Sequence, residues 1–204
     1  MNAKSLWRGP LAAVFLLLTF SACSGDDDTK AVDAGHLRYV PADSPYVIAM
    51  NERFDDEILE AFEPHVDEIL AGYRELLHNV VAAARAEAEG DAGNPDAAEQ
   101  AEIEKFSGGI DALASLLSVD GMQQAGIPFG ARMILYGNGL LPVLRIELSD
   151  PALFEQAIAR VEGEAGQAMP TAKLGDTTYR YVGDDEARML IASFDGYAVL
   201  TVAP

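Results

Sequence analysis

Few side chains in this sequence are of the types that bind metals or transfer protons at neutral pH. His36, His65 and His78 are its three histidines. In a helix, the step from His65 to His78 is a rotation of about 220°, which places the two side chains on different faces. They cannot share a metal ion without ligands from other segments, so we interpret each histidine as a solvated or capping residue. We therefore predict no metal site.

Carboxylates are the other candidates for chemistry, because the chain has 33 Asp and Glu residues. Asp55 with Glu60, or Asp184 with Glu186, could meet across a cleft as a general acid and a general base. With so many acids, chance proximity produces the same pairs, and residues 183–186 are most simply a polar loop. No Gly-x-Ser-x-Gly turn, His-Glu-x-x-His helix or phosphate-binding glycine loop accompanies them. We predict no catalytic residue and no cofactor.

The overall charge excludes one class of partner. The chain carries 14 Lys and Arg residues and has a formal net charge of −19. Nonspecific affinity for nucleic acids depends on neutralising phosphates with basic side chains, which this composition cannot do. Half of the residues are hydrophobic, which is typical of a globular protein with a core. The sequence therefore predicts a folded protein that does not bind nucleic acid.

The N-terminus has the layout of a secretory signal peptide. Lys4 and Arg8 precede an apolar run, Leu11–Phe20. Ten helical residues span only about 15 Å, half of a hydrocarbon core of about 30 Å. This length disfavours a membrane-spanning helix and favours cleavage.

The end of that run, Phe20-Ser21-Ala22-Cys23, resembles the lipobox of bacterial lipoproteins, although Leu is more usual than Phe at its first position. The resemblance implies cleavage before Cys23, acylation of its thiol and stable anchoring by acyl chains. Cys23 is the only cysteine, and acylation would remove a free thiol from an oxidising compartment. An ordinary signal peptide with an incidental cysteine is the alternative. Ser24 resembles the residue that directs Gram-negative lipoproteins to the outer membrane. We therefore expect the protein to be located at the periplasmic face of that membrane.

We divide the chain into four parts: a lipoprotein signal peptide (1–22), an acidic flexible tether (23–36), a strand with a helical hairpin (37–126) and an α+β sheet segment (127–204). The tether is small and acidic, without an apolar pattern. Its run Asp26–Asp28 lacks the spaced ligands and the distal Glu of a calcium loop, so we interpret it as a solvated charge run. Anionic lipids repel the acidic folded part of the protein. We therefore expect the acyl chains on Cys23, and not the protein surface, to attach it to the membrane.

The segment 37–126 combines one strand with helices. Tyr46–Met50 is a short apolar run that predicts a buried strand. Residues 53–124 read as helical, and Pro64 favours the first turn of a new helix that runs to about Glu89. A second helix spans about 96–117, with Gly108 and Gly109 weakening its middle. The two helices can pack as an antiparallel hairpin, whose apolar face is core or, alternatively, a partner-binding groove.

The segment 127–204 predicts an antiparallel sheet with one packed helix. Runs at 131–136 and 141–148 flank Gly137-Asn138-Gly139, which favours a hairpin. Asp150 can cap a helix that starts at Pro151. Strands follow at 177–182, 188–194 and 197–202, the last two joined by Asp195-Gly196, which suits a type I′ turn. The predicted fold class is α+β, with the helical hairpin between an N-terminal strand and this sheet.

Two motifs resemble a group of uncharacterised Gram-negative envelope lipoproteins. They are VPADSPYV at Val40–Val47, after the tether, and LPVLRIELSDP at Leu141–Pro151, with Phe154 following. Both cover strand starts and a helix cap, and neither carries a catalytic role. Relatives of this kind are longer, so the resemblance predicts that the chain lacks a C-terminal half, which would cover an edge left by the last hairpin.

The predicted function is a noncatalytic, membrane-anchored envelope lipoprotein that faces the periplasm and contacts another envelope protein. Two alternatives stay open: a periplasmic hydrolase using paired carboxylates, and a carrier of an apolar ligand held between helix and sheet. A flat apolar patch on the hairpin would favour the interaction module, convergent carboxylates the hydrolase and a dry cavity the carrier.

Overall fold

The computed structural model describes residues 37–92, 97–183 and 187–203. After a 3₁₀ turn at Leu37–Tyr39, the elements in chain order are β1 (Val47–Met50), α1 (Asp56–Ala92), α2 (Ala97–Ser115), α3 (Val119–Gln124), β2 (Met133–Asn138), β3 (Leu141–Glu147), α4 (Pro151–Glu164), β4 (Thr171–Leu174), β5 (Thr177–Gly183), β6 (Arg188–Phe194) and β7 (Tyr197–Ala203). This order confirms the predicted α+β class.

One antiparallel sheet of seven strands, in the order β1-β2-β3-β7-β6-β5-β4, joins both ends of the described chain. β1 is an edge strand that pairs with β2, so the predicted N-terminal strand belongs to the same sheet as the C-terminal segment. The expectation that this strand is buried was wrong, because an edge strand has a neighbour on one side only, and Val47 and Ile48 are exposed. The last strand, β7, lies between β3 and β6. The expectation that the last hairpin leaves an open edge was therefore wrong, because β7 inserts into the middle of the sheet.

The two sheet faces are covered differently. α4 packs on one face, where Phe154 and Ile158 contact Ile191 and Ala198. Asp150 caps this helix as predicted, since its carboxylate accepts hydrogen bonds from the backbone N–H groups of Ala152 and Leu153. On the opposite face, the N-terminal segment covers β2 and β3 through Leu37 and Val40. This second face holds the site described below.

The predicted hairpin of α1 and α2 is confirmed. Its core contains Leu77 and Val81 of α1 and Phe106, Ile110 and Ala114 of α2. Two hydrogen bonds join the helices: Arg74 donates to the carbonyl of Leu117, just beyond the end of α2, and Arg85 donates to the hydroxyl of Ser107 near its middle.

Pro64 does not start a helix, contrary to the prediction, but lies inside α1. Proline lacks an N–H and costs about 3 kcal/mol in a helix interior, so something must hold the preceding turns in helical form. Leu59, one turn earlier, packs over Gly130, where a Cβ atom would lie 2.8 Å from its Cδ2 atom. This tertiary contact stabilises the first turns, and the helix continues through the proline.

Candidate functional site

Strand β3 places a charged side chain in the middle of the sheet. Arg145 is opposite Ile134 of β2 and Val199 of β7, two apolar neighbours. Alternate residues of a strand point to the same face, so Val143, Arg145 and Glu147 share the face that the N-terminal segment covers. Arg145 is only 5% exposed. Burial of a cation at this depth is costly unless its surroundings compensate.

Three aromatic rings, Tyr39, Phe194 and Tyr197, surround the guanidinium and form what we call the aromatic box. The Arg145 Cζ atom lies 3.6 Å from the centroid of the Tyr39 ring, 5.1 Å from that of Tyr197 and 5.7 Å from that of Phe194. The Tyr39 ring stands edge-on to both other rings. Cation–π attraction at these distances partly replaces the water that the cation has lost.

The hydrogen bonds of Arg145 are incomplete. Burial lowers the pKa of its guanidinium, while charge interaction and a hydrogen bond with Tyr136 raise it. Arginine nevertheless stays protonated in proteins and has five N–H donors. Within the described residues, its buried Nε and Nη2 atoms have no hydrogen-bond partner. An unpaired buried donor costs about 1–3 kcal/mol, and more when it is charged.

The N-terminal turn is fastened over the box by contacts with Asp195, which we call the latch. The Tyr39 hydroxyl donates a hydrogen bond to the Asp195 carboxylate, and Arg38 Nη2 lies 2.5 Å from the same oxygen. Asp195 has a φ of 53° and Gly196 a φ of 78°, which confirms the predicted Asp-Gly turn between β6 and β7. The turn therefore presents the carboxylate that holds Tyr39 in place.

Glu147 ends β3 beside two further arginines. Its carboxylate accepts hydrogen bonds from the guanidinium groups of Arg132, at 2.8 Å, and of Arg53, at 3.4 Å. Burial by itself would raise the pKa of Glu147, but these hydrogen bonds outweigh it and lower the pKa to about 2. Glu147 is therefore charged at neutral pH and serves as an anchor for both arginines.

Only one of the two predicted carboxylate pairs, Asp55 with Glu60, lies within the described residues. Asp55 immediately precedes α1, and its carbonyl accepts hydrogen bonds from the N–H groups of Ile58 and Leu59. Glu60 instead lines an open groove of about 400 Å³, with Asp56 and Glu63. Asp184 and Glu186 lie outside the described residues, as do Cys23, Asp26–Asp28 and His36.

The other two histidines lie at the surface of α1. His65 is exposed, and the His78 Nε2 atom lies 3.9 Å from the carboxylate of Asp111, with both side chains solvated. In the part of the chain that the structure describes, no three His, Cys, Asp or Glu side chains come together as metal ligands would. Over the same residues, no helix is both long and apolar enough to span a bilayer.

Helix α1 also exposes a line of apolar side chains, the α1 stripe, made of Ile58, Phe62, Ile69 and Leu76. Their exposed fractions are 42%, 60%, 50% and 40%. At 100° per residue, the four positions fall within a sector of about 40°. The stripe is distinct from the side that packs against α2 through Leu77 and Val81. The exposed His65 lies at nearly the same angular position between Phe62 and Ile69, so the stripe is a row of separate apolar side chains, which we treat as a candidate interaction surface.

Sequence reasoning missed Arg145 as a site residue, although its motif LPVLRIEL was noted. The available signal was an arginine at an inward position of an apolar strand, two residues after Val143 and two before Glu147. Its aromatic neighbours could not be found in this way, because Tyr39 precedes it by more than a hundred residues and Tyr197 follows it by about fifty.

Comparison with known proteins adds no relative: no family model, curated protein or solved structure matches the chain.

Proposed function

We propose that the protein is a noncatalytic lipoprotein, anchored by acyl chains on Cys23 at the periplasmic face of the outer membrane, whose body contacts another envelope protein. The anchor rests on the sequence Phe20-Ser21-Ala22-Cys23 and the acidic tether that follows.

The single observation that carries the interaction role is the α1 stripe. Four large apolar side chains, each at least 40% exposed along one helix, lose water-contacting area if a partner covers them. Burial contributes about 25 cal/mol per Å² of apolar surface, so a covered stripe stabilises a complex. This gain from covering exposed apolar side chains is the physical reason for proposing that the protein binds a partner through the stripe.

The charges beside the stripe specify the chemistry of the partner. Glu57, Glu68 and Glu75 are exposed on α1, and the helical rotation places them about 100° around from the stripe. An apolar ridge flanked by acids fits a helix that is apolar on one face and carries Lys or Arg beside it. A second copy would place the same acidic row and another strongly acidic chain, with a formal net charge of −19 before removal of residues 1–22, against the first copy. Electrostatics therefore favours a basic amphipathic helix of another protein.

The anchor is tested by intact mass. From a Gram-negative host, the membrane-fraction protein should begin at residue 23 and carry the mass of acyl chains. A matched chain, in which a conventional cleaved signal peptide replaces residues 1–22 and Ala replaces Cys23, should have no lipid mass and should leave the membrane fraction. An unmodified wild-type chain, or retention of both forms in the membrane, would contradict the anchor.

The interaction surface is tested by photocrosslinking in the anchored protein. A photoreactive residue at Ile69 should give one discrete product that disappears in Phe62→Glu, because a buried charge in the stripe is not tolerated. Leu174, which is 78% exposed on edge strand β4, provides the control position. The product should also be lost when exposed basic residues of the identified partner are changed to Glu. Equal crosslinking from both positions, or none from Ile69, would count against the stripe.

A carboxylate hydrolase is a second candidate, favoured by the groove in which Asp56, Glu60 and Glu63 lie along α1. In that case Glu60→Gln and Glu63→Gln would each abolish hydrolysis of glycoside or ester substrates that the wild type cleaves. Equal background rates in the wild type and both variants would remove this candidate.

A further inference from the structure

The two unpaired donors of Arg145 belong to the same edge of its guanidinium. Nε–H and one N–H of Nη2 point in parallel from that edge, and together they match the two oxygens of a carboxylate or phosphate group. Both atoms are buried without a partner in the described structure. Tyr136 interacts with the same guanidinium. The arginine is thus held by its neighbours while its anion-binding edge is left unmatched.

The surroundings of this edge are positive although the protein as a whole is acidic. Burial raises the pKa of Tyr197, and the charges that act on it include Arg38, Arg132 and Arg145. Arg53 joins the group through Glu147. Four of the chain's 14 Lys and Arg residues therefore gather here around two carboxylates, those of Glu147 and Asp195. A local excess of positive charge attracts an anion that the rest of the surface repels.

We propose that Arg145 and the aromatic box form a binding site for an anion with two adjacent oxygens, a carboxylate or a phosphate group, which enters when the latch opens. The anion receives hydrogen bonds from Nε and Nη2, and the rings of Tyr39, Phe194 and Tyr197 exclude water around it. This inference does not depend on the α1 stripe or on lipidation.

Entry requires movement of the N-terminal turn. Arg145 is 5% exposed, and the ring of Tyr39 is the closest of the three that surround it. The turn Leu37–Tyr39 has only three residues, and its attachment at this end is the contact of Arg38 and Tyr39 with Asp195. Leu37 and Val40 also pack on β2 and β3, so opening requires release of the latch together with lifting of this segment, while the strand pairs of the sheet stay in place.

The test is an NMR titration of the arginine Nε–H signals of the full folded chain. Sodium acetate and inorganic phosphate are added in separate arms, with sodium chloride at equal ionic strength as the reference. Arg145→Lys keeps the charge but lacks the two-donor edge. Arg145→Met is an apolar replacement of similar length that leaves no unpaired charge. Arg180→Lys is the matched control, because Arg180 already binds Glu155 and Glu162.

We expect a saturable shift of the Arg145 Nε–H signal in the wild type and in Arg180→Lys. Both Arg145 variants lack that signal, so their titration is followed on the backbone N–H signals of Tyr39, Phe194 and Tyr197, and the affinity should be at least about tenfold weaker. Saturation by acetate alone identifies a carboxylate ligand, and saturation by phosphate alone identifies a phosphate ligand. A shift that equals the chloride reference, that fails to saturate or that persists in the Arg145 variants overturns the proposal. The wild-type titration decides the matter even if a variant does not fold.

The latch is tested by Tyr39→Phe, which keeps the ring over Arg145 and the charge of Asp195 but removes the hydroxyl that donates to that carboxylate. A larger open fraction lowers the apparent dissociation constant in proportion, so this variant should bind the same anion severalfold more tightly. Unchanged or weaker binding would contradict opening at Tyr39.

Discussion

Arg145 and Glu147 lie on the same face of β3, two residues apart, but their charges are satisfied in opposite ways. Glu147 accepts hydrogen bonds from Arg132 and Arg53, whereas two donors of Arg145 are unmatched within the described residues. Pairing offsets the cost of burying a charge, whereas a buried charge without a partner lowers the stability of the native state. The first is therefore a structural residue, and the second is the residue at which we expect a ligand.

The pKa of about 2 at Glu147 predicts a pH dependence of stability. A carboxyl whose pKa falls on folding contributes stability above its unfolded value, near 4.5, and this contribution disappears as the pH drops to about 2. The shift corresponds to about 3 kcal/mol. In urea unfolding, Glu147→Gln should be less stable than the wild type by up to that amount at pH 7. The difference should close between pH 4.5 and pH 2.

Glu60→Gln is the control for that measurement, since it removes an exposed carboxylate. It should change the free energy of unfolding by less than about 0.5 kcal/mol. If the deficit of Glu147→Gln were as large at pH 2 as at pH 7, the hydrogen bonds to the ionised carboxylate would not be its source.

At the scale of the elements, the contact between α2 and α4 explains the two glycines in the middle of α2. Gly108 and Gly109 read in sequence as weak points of α2, but α4 approaches the helix at this position. A Cβ atom would lie 2.9 Å from the carbonyl oxygen of Glu164 at Gly108, and 2.8 Å from the Cβ atom of Ala165 at Gly109. The two glycines therefore allow α2 and the end of α4 to pack closely. Their cost in helix propensity is balanced by that contact.

Gly109→Ala and Gly72→Ala make a matched pair that tests this conclusion. A Cβ atom at Gly72, inside α1, would meet nothing within 4 Å, so alanine should stabilise the protein by up to about 1 kcal/mol. At Gly109 the clash should outweigh the same gain and destabilise by about 1–3 kcal/mol. Thermal unfolding with calorimetry measures both. Equal stabilisation by the two substitutions would show that α2 and α4 can move apart at little energetic cost, and would contradict this conclusion.

At the scale of the whole molecule, the last strand closes the fold. β7 pairs with β3 on one side and β6 on the other, and it thereby joins the strands before α4 to those after it. It also carries Tyr197 into the aromatic box. The site of Arg145 thus exists only when the C-terminal strand has taken its central place.

A pair of proline substitutions tests this topology. Val199 pairs with both Arg145 and Ala192, so Val199→Pro should remove a ladder hydrogen bond in the centre of the sheet and abolish the cooperative unfolding transition. Lys173 is on edge strand β4, where the antiparallel pattern directs its N–H to solvent. Lys173→Pro should cost about 1 kcal/mol or less. Circular dichroism during heating distinguishes the two, and similar losses would place β7 at an edge.

The sequence by itself determined the features that depend on neighbouring residues. The Asp150-Pro151 helix start, the Asp195-Gly196 turn, the hairpin of α1 and α2 and the strands of the C-terminal segment other than β4 were predicted, because caps, turns and apolar periodicity act over a few residues. The four-residue strand β4 (Thr171–Leu174) was missed. The N-terminal signals that point to a lipid anchor are likewise local. They remain a prediction, since they lie in residues 1–36, outside the described structure.

Only the tertiary structure decided the strand order, the continuous path of α1 through Pro64 and the surroundings of Arg145. Each depends on contacts between residues far apart in the chain: Leu59 with Gly130, Tyr39 with Arg145, and β3 with β7. Such contacts form when the chain gains more from burial and pairing than it loses in closing long loops. That balance involves the whole fold, so the residues that contact Arg145 could not be predicted from the local sequence around it.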